Sequence, residues 1–290
     1  MLSQRIITAL ILVPLVVLAV FQLPPEYFSL LVGLITLLAA WEWIRLVGDV
    51  SLLKRGLFLL ALILPMLWLH FWTQFLELAA QVLDWPDVRD YSGILEWLVV
   101  PPVLFWILSM ILIRNTPIGV LNLEMKVCYK ALIGWFILLA MWLFLSRLRT
   151  LYGSELTLYF LVLIWAADIA AYFAGKKFGK TKLSPEISPG KTVQGMYGAL
   201  IAAVVCGIIL NLYTLKYGFQ VMVASDFILL SMLTVLISIY GDLFFSVVKR
   251  QCGVKDTGSI LPGHGGILDR IDSLIAATPF FYAGIYLMHP

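Results

Sequence analysis

Residues 255–274 read KDTGSILPGHGGILDRIDSL, with three aspartates, one histidine, four glycines and two basic residues in an otherwise largely apolar chain. Asp269 and Asp272 are spaced i, i+3, which on a helix puts both carboxylates on one face about 5–6 Å apart. Upstream, in SIYGDLFFSVVKRQCGV, Asp242, Ser246 and Lys249 follow at intervals of four and three and share a helical face. A fourth acid, Asp168, lies in LIWAADIAAYFAGKK. A carboxylate at the centre of a membrane helix costs about 2.5–3.5 kcal/mol, so acids in apolar segments need compensating cations. Side chains could supply them as ion pairs, such as Asp269 with Lys249 or Asp272 with Arg250. A bound divalent ion is the other answer. Oxygen-only ligands suit magnesium, which keeps waters and shares substrate phosphates, whereas zinc would call for paired histidines or cysteines. Gly265 and Gly266 permit close backbone approach, and the helix that follows offers free N–H groups to a phosphate. His264 could hydrogen-bond a phosphate oxygen or donate a proton, or simply shape the turn. Basic groups, acids and a phosphate cradle are the components of phosphoryl or nucleotidyl transfer.

A second polar segment, GKKFGKTKLSPEISPGKTVQG (175–195), carries five lysines. Its PGKT is not a Walker loop, because Pro185 stands where that pattern needs glycine. Ser188, Lys191 and Thr192 are expected at the start of a helix, where the dipole and free amides favour an anion. Contact with anionic lipid heads is the alternative use of such a loop.

The elements that position these residues are membrane helices. The 290-residue chain is 62% hydrophobic and 13% charged, with a mean hydropathy of +0.98, well above the roughly 45–50% apolar content of soluble domains. Nine apolar stretches are long enough to span a bilayer: 5–22, 27–47, 57–76, 95–113, 129–147, 156–175, 193–215, 227–248 and 270–288. The fold class is therefore an all-α polytopic integral membrane protein of about nine transmembrane helices. With a cytoplasmic N-terminus, sixteen of the twenty Lys and Arg residues fall inside, leaving Arg89, Arg147, Arg149 and Lys216 outside. The net charge of +3 is thus a topology signal and not a nucleic-acid footprint. The first apolar run has no small-x-small cleavage site after it and reads as a retained span. Cys128, Cys206 and Cys252 are too few and too scattered to imply a disulfide framework or a zinc site. Residues 1–150 read as an N-terminal transmembrane scaffold of about five spans, with Trp41, Trp43, Trp68, Trp72, Trp97 and Trp106 as interfacial anchors. Residues 151–290 read as a C-terminal catalytic region with cytoplasmic polar loops.

The stretch SVVKRQCGVKDTGSILPGHGGILDRID (246–272) resembles the signature of the phosphatidate cytidylyltransferase, or CDP-diacylglycerol synthase, family. The pattern S-x-x-K-R, four residues, K-D, six residues, P-x-H-G-G-x-x-D-R-x-D falls on Ser246, Lys249, Arg250, Lys255, Asp256, Pro262, His264, Gly265, Gly266, Asp269, Arg270 and Asp272 without departure. The resemblance implies transfer of CMP from CTP to phosphatidic acid, giving CDP-diacylglycerol and pyrophosphate in phospholipid biosynthesis. It implies catalytic Asp242, Asp269, Asp272, Lys249, Arg250 and His264. Ser188, Lys191, Thr192, Ser246, Lys255, Asp256, Gly265, Gly266 and Arg270 are implied to bind substrate. Magnesium is assigned to Asp242, Asp269 and Asp272, with Asp168 and Asp256 as further candidates, and a second, monovalent ion is left open. A chamber between the later spans would admit the lipid sideways while CTP enters from the cytoplasm. The implied location is a bacterial cytoplasmic (inner) membrane with the active site on the cytoplasmic side; a homodimer is left open. A CTP-dependent polyprenol kinase would share the setting but leave CDP. An ion-coupled carrier would place its acids near mid-membrane, often within inverted repeats, and no repeat is evident here.

Overall fold

The computed structural model describes residues 2–48, 50–85, 87, 93–216, 224–258 and 265–288. The chain is helical almost throughout. The elements are α1 (Leu2–Gln22), α2 (Pro25–Leu46), α3 (Leu52–His70), α4 (Trp72–Val82), α5 (Ile94–Trp97), α6 (Val100–Asn115), α7 (Pro117–Leu121) and α8 (Val127–Phe178). A short hairpin follows, β1 (Lys182–Ser184) and β2 (Ser188–Thr192), and then α9 (Val193–Lys216), α10 (Ala224–Gln251) and α11 (Leu268–Met288). Among the described residues, seven helical stretches are long and apolar enough to cross a bilayer. The protein is therefore a polytopic integral membrane protein.

Local sequence accounts for the main boundaries. Pro25 opens α2 at a position where its missing N–H and fixed φ cost nothing. The 52 residues of α8 would reach about 78 Å at 1.5 Å per residue, far beyond a hydrocarbon core of about 30 Å. The helix breaks at Gly153, whose φ of 85° only glycine adopts without strain. Thr157 Oγ1 donates to the Gly153 carbonyl at 2.8 Å and restarts the helix beyond it.

The core lies where α8 meets α2, α9 and α11, and where α10 meets α9 and α11. Phe144, Phe160, Phe245, Phe281 and Tyr282 are fully buried there. Small residues bring the later helices together, as is usual in membranes. Gly198 of α9 lies against Ala170 and Ala174 of α8, and Gly241 of α10 lies against Ala276 and the Asp272 backbone of α11. That second contact sets Asp242 beside Asp272. The outer faces carry exposed Leu34, Leu60, Leu64, Ile201 and Ile209, which suit lipid.

Two expectations about the first half need correction. Trp43 and Trp106 are not interfacial anchors, since each is 1% exposed. The Trp43 indole donates to the Lys130 carbonyl at 3.0 Å and meets Phe245 edge-on, while Trp106 packs edge-on to Phe244. Trp68 and Trp97 are exposed, as anchors must be. The tryptophans of a span were read by their place along the helix, but the face they occupy decides their role.

Candidate active site

The polar residues gather where the C-terminal ends of α2 and α10 meet the hairpin and the N-terminal end of α11. Lys249, in the last turn of α10, turns its ammonium to Asp269 Oδ1 at 2.7 Å. The other oxygen of Asp269 accepts from the Thr257 N–H at 2.8 Å, the Thr257 hydroxyl at 2.9 Å and the Gly266 N–H at 3.1 Å. Asp269 thus ties the loop after α10 to the start of α11 with both oxygens engaged.

Asp242 lies two turns deeper on α10. Its Oδ2 pairs at 2.7 Å with Lys191, which also donates to the Ile239 carbonyl at 3.1 Å. Ser246 approaches the other oxygen at 3.5 Å, a long contact. Asp272 is buried and accepts the Ser273 N–H at 2.8 Å. Asp242, Lys249 and Lys191 all act on it electrostatically. Asp168, exposed on α8, lies within electrostatic reach of Asp242, Lys191 and Arg270. The four aspartates therefore belong to one neighbourhood reached also by Lys191, Lys249 and Arg270. Of the two ion pairs considered from sequence, Asp269–Lys249 forms. Arg250 instead directs its Nε to the Ile187 carbonyl at 3.4 Å.

The hairpin corrects one placement. Ser188 and Lys191 belong to strand β2 and not to the first turn of a helix, whereas Thr192, the last residue of that strand, sits at the start of α9 as expected. Thr192 is buried, and its Oγ1 accepts the Gly195 N–H at 3.1 Å, capping α9 from the preceding residue. Gln194 Oε1 accepts the Lys180 and Thr181 N–H groups at 3.0 and 3.2 Å and pins the lysine-rich loop to α9. Proline and glycine in SPGKT suit a turn as well as a helix start, and pairing of Ser184 with Ser188 decides for the strand.

Lys255 and Asp256 are exposed, with Asp256 packed beside Gly265. Gly265 has a φ of 85°. His264 lies outside the described residues. Cys252 follows α10 outside the membrane helix, and burial pushes its thiol up against the opposing pull of Lys130.

One residue escaped the sequence reading altogether. Glu42, on α2 in the first half, is 2% exposed. It accepts the Ile267 N–H at 3.1 Å, the Leu268 N–H at 2.8 Å and the Thr257 hydroxyl at 3.2 Å. Its carboxylate thus satisfies the orphan donors and positive dipole end of α11. A Cβ on Gly266 would collide with Glu42 and Thr257, so the close approach requires glycine there. The signal was present in sequence as a lone acid inside the apolar run AAWEWIRL.

Among the described residues, no three acids, histidines or cysteines converge tightly enough to hold an ion unaided. Asp242 and Asp272 nevertheless fit magnesium, which takes one or two carboxylates and completes its shell with water and phosphate oxygens.

Fold and site together define a membrane-embedded protein with an acid- and lysine-rich centre at one end of its helix bundle. The chain belongs to the cytidylyltransferase family, whose model matches residues 3–288. It is 36% identical over 289 residues to the phosphatidate cytidylyltransferase of Haemophilus influenzae, covering 97% of both chains. It is 37% identical over 286 residues to the enzyme of the same name from Pseudomonas aeruginosa, covering 98% of this chain and 96% of that one. The phosphatidate cytidylyltransferase of Bacillus subtilis is 45% identical over 134 residues, 45% of this chain and 47% of that one.

Proposed function

We propose that the chain transfers CMP from CTP to phosphatidic acid, releasing pyrophosphate and forming CDP-diacylglycerol for phospholipid synthesis. The observation that carries this is the full-length likeness to two phosphatidate cytidylyltransferases, joined to a site of acids and lysines.

In the reaction a phosphate oxygen of phosphatidic acid attacks the α-phosphorus of CTP, and the bond to pyrophosphate breaks. The nucleophile is already an anion, so no strong base is required. Positioning and charge stabilisation carry the catalysis. Lys191, Lys249, Arg250, Lys255 and Arg270 are the cations for the phosphates. Lys191 and Lys249, held on Asp242 and Asp269, have phosphate oxygens as alternative partners. Ser188, Thr192, Ser246, Asp256, Gly265 and Gly266 are the further candidates for binding substrate, and His264 is a candidate acid or phosphate donor. Asp242 and Asp272 would hold magnesium, with Asp168 close behind. Magnesium would supply charge neutralisation for the phosphates and the departing pyrophosphate. Asp269 and Glu42 shape the loop before α11 and set its N–H groups.

The topology we infer has nine crossings, with α1 and the two halves of α8 each taken as a span beside α2, α3, residues 94–115, α9, α10 and α11. The ends of α2, α10 and α11 that meet at the site fall on the lysine-rich side, which the positive-inside rule makes cytoplasmic. This side of a bacterial inner membrane would receive CTP directly. Residues 1–150 act as a scaffold, and through Glu42 they also support the catalytic region, 151–290.

The deciding assay follows pyrophosphate release by purified protein given CTP, phosphatidic acid and magnesium, with a chelator control. Pyrophosphate with CDP-diacylglycerol is the expected result. CDP with no pyrophosphate would assign a kinase instead.

A further inference from the structure

The opposite end of the bundle carries charge for which the transfer reaction has no use. Arg147 and Arg149 are the pair that breaks the inside bias of the basic residues. Arg149 is accounted for by its bonds to the Val20 and Leu23 carbonyls at 2.9 and 3.2 Å, which close the end of α1. Arg147 donates one arm to Glu96, which is 6% exposed and also accepts the Tyr282 hydroxyl. The remaining Nε of Arg147 is buried and has no partner among the described residues. Beside it, Ser146 is 7% exposed, and its Oγ likewise has no partner among the described residues.

Ser146 and Arg147 line a cavity of about 260 Å³ between α2, α3, α4 and α8. Ser29 on its wall stands thirteen residues before Glu42 on α2, about 20 Å along the axis. Leu69, Trp142 and Leu143 make part of the lining apolar. Glu26, exposed on the first turn of α2, stands at the rim. Two buried donors without acceptors are costly in any medium, and more so beside lipid. They call for acceptor oxygens. Glu96 already pairs the guanidinium charge, so a phosphate that supplies those oxygens must bring its own cation, and the apolar part of the lining suits a hydrocarbon tail.

We propose that this cavity binds the phosphate of a phospholipid headgroup from the leaflet opposite the transfer site. The leaflet assignment rests on the topology proposed above; the binding itself does not rest on the transfer reaction. Ser146 and Arg147 Nε hold the phosphate oxygens. Glu26 at the rim faces an ammonium, so an ethanolamine headgroup is preferred to a glycerol one.

Native mass spectrometry of the full chain in detergent tests this, using phosphatidylethanolamine and phosphatidylglycerol of matched chains, and inorganic phosphate, as separate probes. The expected result is retained phosphatidylethanolamine that Ser146→Leu reduces about tenfold, an affinity change of one decade. Pyrophosphate release stays within about twofold. Glu26→Gln should erase the preference over phosphatidylglycerol. Should the leucine variant fold poorly, Ser146→Ala and Arg147→Lys remove one donor each and are read in the same way. Unchanged lipid retention in every variant would overturn the site. Displacement of the lipid by millimolar inorganic phosphate would overturn the lipid as occupant and assign a free-anion site.

Discussion

The two ends of this helix bundle handle buried charge in opposite ways. At the end away from the hairpin, Glu96 receives Arg147 and Tyr282, and Arg149 is taken up by two backbone carbonyls. The paired charges there close a structural contact, and only the Arg147 Nε and the Ser146 hydroxyl beside it are left over among the described residues. At the hairpin end, Asp168, Asp242, Asp269 and Asp272 share a neighbourhood with Lys191, Lys249 and Arg270, and Asp242 remains a third exposed. Asp269 is fully satisfied, whereas Asp242 and Asp272 sit together with acceptor capacity to spare. A charge cluster that is matched partner for partner holds a fold together. On the proposed function, the surplus acid at the hairpin end would receive a cation and its lysines would receive phosphates.

The largest test of that contrast lies with the surplus acids. Asp272→Asn and Asp242→Asn should each lower kcat by about 10³-fold, the scale of losing a main electrostatic stabiliser, with the proteins still folded and monodisperse. Steady-state pyrophosphate release checks this, and near-normal turnover would remove that residue from the site. Asp269→Asn should follow at about 10²-fold, because it frees Lys249 and loosens Thr257 while leaving the paired acids intact. A loss as large as that of Asp272 would make Asp269 a direct ligand.

Glu42→Gln should cost about tenfold in kcat with little change in KM for CTP, since an amide keeps one acceptor for the N–H groups of α11 but loses the charge at its dipole end. Glu42→Ala should lose more, and a KM effect alone would show that Glu42 touches nucleotide. The smallest effect on transfer belongs to the far end. Glu96→Gln should leave pyrophosphate release within about twofold yet destabilise the fold by up to about 3–5 kcal/mol, as breaking a buried pair does. Thermal unfolding in detergent gives that number, and a loss of activity without loss of stability would join the two ends functionally.

Much of this arrangement was legible beforehand because membrane insertion penalises polar residues so heavily. The helical fold follows from hydropathy; spacing along single helices relates Asp242 to Lys249 and Asp269 to Asp272, and a common membrane depth with the family signature joins the two pairs. What escaped was long-range or directional. Glu42 lies 226 positions from the Leu268 amide it caps, and no local pattern connects them. The strand at Ser188–Thr192 depends on its partner Lys182–Ser184 more than on its own residues. Trp43 and Trp106 share the span positions of true anchors, and only the packing of α2 and α6 on the later helices buries them.

The central claim concerns the space between Asp242 and Asp272. A density map of the protein with CTP and manganese, read by anomalous scattering, locates the ion directly. The account predicts one ion bridging those two carboxylates to the nucleotide's phosphates, with Lys191 and Lys249 turned toward the same phosphates. An ion bound away from both aspartates, or phosphates held with no ion near them, would contradict it.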